Sequence, residues 1–178
     1  CSPFTGGCLY PMGCERYKTG CGSCPQKGEW AIDTPVDFSR LWHGLKHGVH
    51  AAGRITLVTP SHWMADMAMS SGMLRERPTV IPNGVDTDLY TPGSKDELRK
   101  EFGLPEDRYV VLLTAGHIKD TRKGVAYALK ALRSVAHLNP AILLVGAIDD
   151  SARAMFSGMD IFPTGYIGDS TKLARAYA

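Results

Sequence analysis

Apolar residues in the second half of the chain follow two patterns, unbroken runs and helical repeats. Two runs, at 109–114 and 141–145, are almost wholly apolar, which is typical of parallel strands covered on both faces. Between them, the spacing of apolar residues predicts a helix over 124–137. The side chains expected to face inward on this helix are Ala128, Leu129, Leu132 and Val135. A weaker strand over 161–166 and a helix from Ser170 complete this half.

The first half shows the same alternation of strand and helix patterns. The predicted elements are a helix over 35–50, a strand over 54–59, a helix over 61–71, a strand over 77–81 and a helix opened by Ser94. The inner face of the second helix is predicted to consist of Met64, Met67, Ala68 and Met73. Ser61 is expected to cap that helix, and Ser94 with Glu97 matches a capping box. Such alternation predicts an α/β fold with parallel sheets and right-handed crossovers.

Composition bounds the class of protein. The chain has 178 residues, 44% of them apolar and 21% charged, as in globular proteins. Its net charge is +2 and its Lys and Arg residues do not cluster, so no nucleic-acid partner is expected. No apolar run has the length of a membrane span. A change in composition near 91–93 predicts a domain boundary that separates 1–92 from 93–178. Because the first residue is not Met and the last ones continue a helical pattern, we expect an internal piece of a longer protein.

Four cysteines lie close together in the sequence. Residues 1–30 are rich in Gly, Cys and Pro and predict an irregular loop. The clustered cysteines are Cys8, Cys14, Cys21 and Cys24, and the last two form a Cys-X-X-Cys pair. Three hypotheses remain open from these spacings: a structural zinc site, free or redox-labile thiols, and two disulfides.

A basic segment follows the first buried strand of the second half. The strand leads into Gly116 and His117, and the next helix begins just after Arg122, Lys123 and Gly124. In doubly wound sheets, ligands bind beyond the carboxyl ends of strands, and a helix N-terminus favours an anion. The segment therefore predicts a phosphate site, with a solvated basic turn as the alternative. It is not a P-loop, because the glycine spacing differs and neither Ser nor Thr follows the Lys.

A second turn lies earlier in the chain, with 37 residues between its Gly84 and Arg122. It contains Asn83 and Gly84 after a short apolar strand, and its aspartates, Asp86 and Asp88, are expected to order the turn. The order of the two segments along the chain predicts that both line a seam between two domains. Asn83 and Gly84 are therefore candidate cleft residues.

With these segments in view, the chain resembles the glycosyltransferase group 1 family (family 4), retaining enzymes of the GT-B fold. The segments that carry the resemblance are 4–8 with 20–25, 59–63, 81–86 and 122–124. The resemblance spans nearly the whole chain. It implies two Rossmann-like domains: 1–92 would be the C-terminal portion of the first, on the acceptor side, and 93–178 the N-terminal portion of the second, which binds the donor.

The resemblance also implies roles for individual residues. The family's Lys-Gly lysine binds the donor diphosphate, a role that falls on Lys123. A second family cation follows the glycine of the preceding strand; here His117 follows Gly116, and Arg122 is a possible substitute. The two glutamates that contact the donor sugar would lie beyond Ala178, so the piece alone is expected to be inactive.

The expected function is transfer of a sugar, of hexosyltransferase type, from a nucleotide-diphosphate donor to a glycan or lipid-linked acceptor, as in polysaccharide biosynthesis. No cofactor is expected for catalysis, and a structural zinc is a candidate at the cysteine cluster. The expected location is cytoplasmic, with peripheral association at the inner face of the membrane. The alternative is a non-catalytic nucleotide-binding Rossmann-like module with a Cys-rich, zinc-binding loop.

Overall fold

The structure is a computed structural model that describes residues 2–29 and 31–178. It contains two compact units, Cys1–Gly84 and Val85–Ala178. Cys1 and Trp30, the ends of the predicted Cys-rich segment, lie outside the described residues. The domain division predicted after residue 92 remains a prediction about the complete protein.

The first unit carries two helices and two short strands. In chain order its elements are the 3-10 helix Arg16–Thr19, α1 (Ser39–Ala51), β1 (Val58–Thr59), α2 (His62–Ser70) and β2 (Thr79–Val80). The two strands pair in parallel. Both are shorter than predicted, because ladder hydrogen bonds form only around them: Thr79 N–H donates to Leu57 O and Ile81 N–H to Thr59 O, at 3.2 and 2.9 Å. As predicted, the rest of the Cys-rich segment is irregular.

A small apolar cluster holds this unit together. Its buried members are Phe4, Tyr17, Ala68 and Met73, with Met64 and Met67 packed against them at partial exposure. The inward position predicted for Met64, Met67, Ala68 and Met73 is thereby confirmed, although Met73 lies beyond the end of α2. Ser61 caps α2 as predicted, since its Oγ accepts a hydrogen bond from Met64 N–H at 3.2 Å.

Helix α1 begins four residues later than predicted. Asp37 Oδ1 accepts a hydrogen bond from Ser39 N–H at 2.8 Å and so fixes the first turn. His43 is buried, and its Nε2 donates to Tyr17 O at 2.9 Å. The large apolar side chains of the helix, and that of Phe38 just before it, are exposed in this structure: Phe38, Leu41, Trp42, Leu45 and Val49.

The second unit is built on a three-stranded parallel sheet. Its elements are α3 (Lys95–Glu101), β3 (Val110–His117), the 3-10 helix Thr121–Lys123, α4 (Val125–Ser134), the 3-10 helix Ala136–Leu138, β4 (Ala141–Ala147), α5 (Asp150–Ala154), β5 (Asp160–Gly165) and α6 (Ser170–Tyr177). The strand order is β3-β4-β5. Among the described residues, β4 is the central strand and is almost wholly buried. The predicted α/β class with parallel sheets is confirmed.

The core of this unit lies between the sheet and α4. Leu129 and Leu132 of α4 are buried as predicted, together with Val125 at its first turn. Val135 was expected to face inward but is 36% exposed, because α4 ends at Ser134 and the chain tightens into a 3-10 turn. The prediction of a capping box at Ser94 is also wrong. Helix α3 starts at Lys95, but the Ser94 side chain makes no capping hydrogen bond.

Strand β5 contains Pro163, which pairs in register with Leu144 of β4. Proline has no N–H to donate to a second neighbour, so it is tolerated at the edge of a sheet. Arg108 connects the amino ends of the three strands. Its Nη1 lies 2.6 Å from Asp160 Oδ2, at the start of β5, and its Nε donates to Asn139 O, just before β4, at 2.7 Å.

Candidate functional site

The pairing of β3 with β4 is irregular near the carboxyl end of β3. The pairing between β3 and β4 is regular up to Thr114 and resumes at His117, opposite Ala147, with an irregularity between. Gly116 and His117 are exposed. A β-bulge re-aims the residues that follow it, so this irregularity sets where the exit loop points.

Gly146 of β4 makes the bulge in β3 possible. Its φ is +145°, and a Cβ built on it would lie 1.8 Å from Ala115 O. Only a residue without a side chain lets the two backbones approach this closely. The bulge in β3 therefore depends on a glycine in the neighbouring strand.

The loop that follows is anchored at both ends. Ile118 is buried, and its N–H donates to Ala147 O at 3.1 Å. Asp120 caps the 3-10 helix, because its Oδ1 accepts the Arg122 N–H at 3.0 Å. Gly124 then turns the chain into α4 with a φ of +70°. The loop thus has a defined backbone between the strand and the helix.

Two of the loop's cations are held by carboxylates. Lys119 Nζ lies 3.0 Å from Asp149 Oδ2. Arg122 binds Asp120 through two bonds, Nε to Oδ1 at 2.8 Å and Nη2 to Oδ2 at 2.6 Å. The Arg122 hydrogen bond holds the pKa of Asp120 below its usual range. The charges of the Lys119 ammonium and the Arg122 guanidinium are therefore partly neutralised in the absence of a ligand.

Lys123 differs from these two cations. Its side chain is exposed, and no ion pair of Lys123 occurs in the part of the chain that the structure describes. It immediately precedes Gly124, the residue before α4. Lys123 is consequently the cation of this loop whose charge is most available to an anion.

The N-terminus of α4 adds backbone donors. The first N–H groups of a helix have no partner within it, and the residue at the cap position here, Gly124, has no side chain to bind them. Helix α4 has 10 residues, so its dipole favours negative charge at this end. Lys123 and the start of α4 together form an arrangement suited to a phosphate.

The other candidate cleft residues lie at the end of the first unit. Asn83 and Gly84 are exposed and follow β2. Asp86 orders the next turn as predicted, because its Oδ1 accepts the N–H groups of Asp88 and Leu89 at 3.0 and 3.1 Å. The assignment of Asn83 and Gly84 to a cleft stays a prediction.

The cysteine cluster forms a cavity in the first unit. Cys8, Cys14, Cys21 and Cys24 all line it, and all four are free thiols. Burial raises the pKa of the Cys21 thiol, Gly6 N–H opposes this by donating to its sulfur, and the other three thiols of the cluster add to the rise. In residues 2–29 and 31–178, no three or more His, Cys, Asp or Glu side chains form a group that could hold a metal ion.

The comparisons with known proteins point in one direction. No protein-family model matches the chain. A D-inositol 3-phosphate glycosyltransferase of Stackebrandtia nassauensis is 34% identical over 113 residues, which are 62% of this chain and 24% of that protein. A glycogen synthase of Streptococcus equi is 25% identical over 182 residues, 85% of this chain and 34% of that protein. A D-inositol 3-phosphate glycosyltransferase 1 of Catenulispora acidiphila is 36% identical over 66 residues, 37% of this chain and 15% of that protein.

The relatives are glycosyltransferases of the GT-B group 1 type. The resemblance predicted from the sequence is thereby confirmed. The chain spans between about a seventh and a third of the length of these glycosyltransferases. No helix in the described residues has the length and apolar character that a membrane crossing requires.

Two features of the loop between β3 and α4 were missed at the level of sequence. The first is Asp120 as the partner of Arg122; a carboxylate two residues before an arginine was a usable signal, because Asp readily binds backbone and side chain within a turn. The second is Gly146, which lies in another strand and has no local signal that connects it to Ala115.

Proposed function

We propose that this chain is part of a retaining glycosyltransferase that transfers a hexosyl group from a nucleotide-diphosphate sugar to a glycan or lipid-linked acceptor. The observation that carries the proposal is the loop between β3 and α4. It leaves a parallel strand at its carboxyl end and presents Lys123 beside a helix N-terminus. The relatives' names support the reaction class, and they differ in the acceptor that they imply.

Lys123 is assigned to the donor diphosphate. As the bond between the sugar and the diphosphate breaks, negative charge grows on the departing phosphate oxygens. An ammonium and oriented N–H groups at that position stabilise this charge in the transition state. Gly116 has no side chain, and the space where its Cβ would lie is open to 4 Å, which leaves room for a phosphate near the backbone.

His117 and Arg122 have secondary roles in this proposal. His117 is exposed at the end of β3 and stands where the family places its second cation. Arg122 is already held by Asp120, so it contributes less charge to a ligand. Asn83 and Gly84 belong to the interdomain cleft of the complete enzyme. That enzyme acts in the cytoplasm, at the inner face of the membrane.

The test is nucleoside-diphosphate binding by the full-length protein, measured by calorimetry with UDP, GDP and ADP. Lys123→Ala should weaken binding about ten- to a hundredfold, the effect of one charge-assisted contact. Lys130→Ala is the matched control, because Lys130 is an exposed lysine on α4, beyond the first turn of that helix. Its affinity should equal that of the wild type.

Two results would overturn the proposal. One is the absence of binding of any nucleoside diphosphate to the folded wild-type protein. The other is equal affinity of Lys123→Ala and Lys130→Ala. The retaining outcome has its own measurement: NMR of the product should show the anomeric configuration of the donor sugar.

A further inference from the structure

The cavity in the Cys-rich segment brings together thiols that are up to sixteen residues apart in the sequence. It measures about 20 Å³, room for one ion or one water molecule. The rest of its wall includes Gly6, Arg16, Tyr17 and Ile32. Four cysteines around a space of this size supply the soft ligands of a tetrahedral thiolate site, although their side chains are not grouped in this structure as a bound metal requires.

The turn that carries Cys21 and Cys24 has a special backbone. Cys21 and Ser23 have φ angles of +58° and +49°, and the glycines between and before them are also left-handed. Such a conformation is uncommon outside glycine, and it persists only where the surroundings enforce it. Here it directs both sulfurs of the Cys-X-X-Cys pair into one cavity.

One sulfur already accepts a backbone hydrogen bond. Gly6 N–H donates to Cys21 Sγ at 3.3 Å. A Cβ on Gly6 would lie 3.0 Å from the Cys21 Cβ and 2.2 Å from Ser39 O, so only glycine allows this approach. Hydrogen bonds to ligating atoms from the surrounding shell orient them and tune a metal site.

Contacts that do not involve sulfur hold the cavity wall in place. Cys24 N–H donates to Asp37 Oδ2 at 2.7 Å, and Gly22 N–H donates to Ser39 Oγ at 3.0 Å. Both acceptors lie at the start of α1. The Cys-X-X-Cys turn is therefore fastened to a helix, as a preorganised ligand set should be.

Three cations lie near the thiols. Lys46 donates to Ser2 O and Thr5 O at 2.8 and 2.9 Å, and it interacts electrostatically with Cys8 and Cys21. Arg16 lines the cavity, and the Arg40 guanidinium approaches Gly22. A divalent ion with four thiolates carries a net charge of −2, which these cations offset.

We propose that the protein binds one structural Zn²⁺ through Cys8, Cys14, Cys21 and Cys24. The sulfurs reach ligand positions, about 3.8 Å from one another in a tetrahedral site, by rotation of the cysteine side chains. A change between staggered χ1 rotamers moves a sulfur by roughly 3 Å, which is close to the separation of two ligands in such a site. A four-thiolate site has no open position and therefore serves the fold, not the transfer reaction.

On binding, four thiols and one Zn²⁺ form a tetrathiolate complex and release four protons. No electrons are exchanged, so neither oxidant nor reductant is needed. This separates the proposal from the disulfide hypothesis, in which two S–S bonds form and four electrons leave. The proposal does not depend on the nucleotide site, which lies in the other unit.

The first test uses the full-length protein purified under reducing conditions without chelator. Elemental analysis should give about one zinc per chain. After removal of zinc, Co²⁺ should produce the visible absorption of tetrahedral thiolate coordination together with a sulfur-to-cobalt charge-transfer band. Absence of zinc with four freely titrating thiols in the cluster, or two disulfides by mass spectrometry, would overturn the proposal.

The second test compares variants in the same turn. Cys24→Ser should weaken zinc binding by more than about a hundredfold, because it replaces a soft ligand with a poor one. Ser23→Asn is the matched control: Ser23 is exposed, lies between the two cysteines, and Asn tolerates its positive φ. Wild-type zinc content in both variants contradicts the proposal. Because the cobalt spectrum is recorded on the wild type, the conclusion does not depend on the stability of a variant.

Discussion

The backbone oxygen of Ala115 in β3 lies 1.8 Å from the point where a Cβ on Gly146 of β4 would be placed. This single distance relates the core of the second unit to its candidate phosphate loop. The bulge that sets the direction of Gly116 and of the exit loop occurs at Ala115, and it can exist only while its neighbour in β4 has no side chain.

Gly146→Ala should therefore destabilise the protein. The added methyl group forces the two strands apart and imposes a strained φ, at a combined cost of about 2–4 kcal/mol in the free energy of unfolding. Chemical denaturation of the full-length protein, followed by a probe in the second unit, measures this change. Gly116→Ala is the control, since a Cβ there would meet nothing within 4 Å. Equal stability of the two variants would show that β3 can bend without Gly146.

A second prediction concerns the Asp120–Arg122 pair. Arg122→Ala should reduce nucleoside-diphosphate affinity less than about threefold, because the guanidinium is already neutralised by a carboxylate. Asp120→Asn should raise the affinity about two- to fivefold, since it removes a negative charge beside the ligand and keeps an oxygen for the Arg122 N–H. Calorimetry at two ionic strengths provides the measurement.

The double variant Asp120→Asn/Arg122→Ala separates the two contributions. If the higher nucleoside-diphosphate affinity of Asp120→Asn comes from release of Arg122, the double variant should bind as weakly as Arg122→Ala. A loss of affinity in Asp120→Asn alone would show instead that Asp120 acts mainly by fixing the shape of the loop.

A third prediction concerns Asp37, which accepts bonds from Cys24 and Ser39. The hydroxyl of Ser39 and the N–H groups of Cys24 and Ser39 lower the pKa of this carboxyl to about 2. In the unfolded chain the pKa of an Asp side chain is about 3.9. Because the folded pKa is the lower one, the stabilisation is fully present above the unfolded pKa and is lost as the pH falls through about 2.

The measurement is the difference in unfolding free energy between the wild type and Asp37→Ala over a range of pH. This difference should be constant above about pH 5 and should shrink as the solution becomes more acidic. Asp33→Ala is a control, because Asp33 is an exposed carboxylate in the same segment. A difference that is independent of pH would assign the effect of Asp37 to packing.

The sequence was sufficient for elements whose signal is local and continuous. The buried strands at 109–114 and 141–145 were predicted because a parallel strand covered on both faces has to be apolar at every position. Ser61 was recognised as a cap for the same kind of reason, since the cap and the amide that it binds are three residues apart. Both predictions are confirmed.

Features that depend on tertiary context were not predictable in this way. Ser94 precedes a helix as expected, yet its side chain makes no capping bond, because a capping sequence permits this bond without requiring it. Strand β1 is two residues long although a run of six was predicted, since a strand needs a paired neighbour for its full length. Helix α5 was not predicted, because five residues give too little periodicity to recognise.

For the candidate site, the sequence located the loop but not its charge state. Gly116, His117, Arg122 and Lys123 were recognised from their place after a buried strand. That Arg122 is engaged and Lys123 is exposed follows from side-chain geometry, which the order of residues alone does not determine.

Pro163 in β5 has a consequence for how the sheet can grow. Because β5 contains a proline, it has one N–H donor fewer for an incoming strand. Strand β3 contains no proline. A further strand of the same protein, or a strand from another molecule, therefore meets a better partner beside β3 than beside β5. Of the two border strands, β3 is therefore the better suited to extension, and it is also the strand that adjoins the candidate phosphate loop.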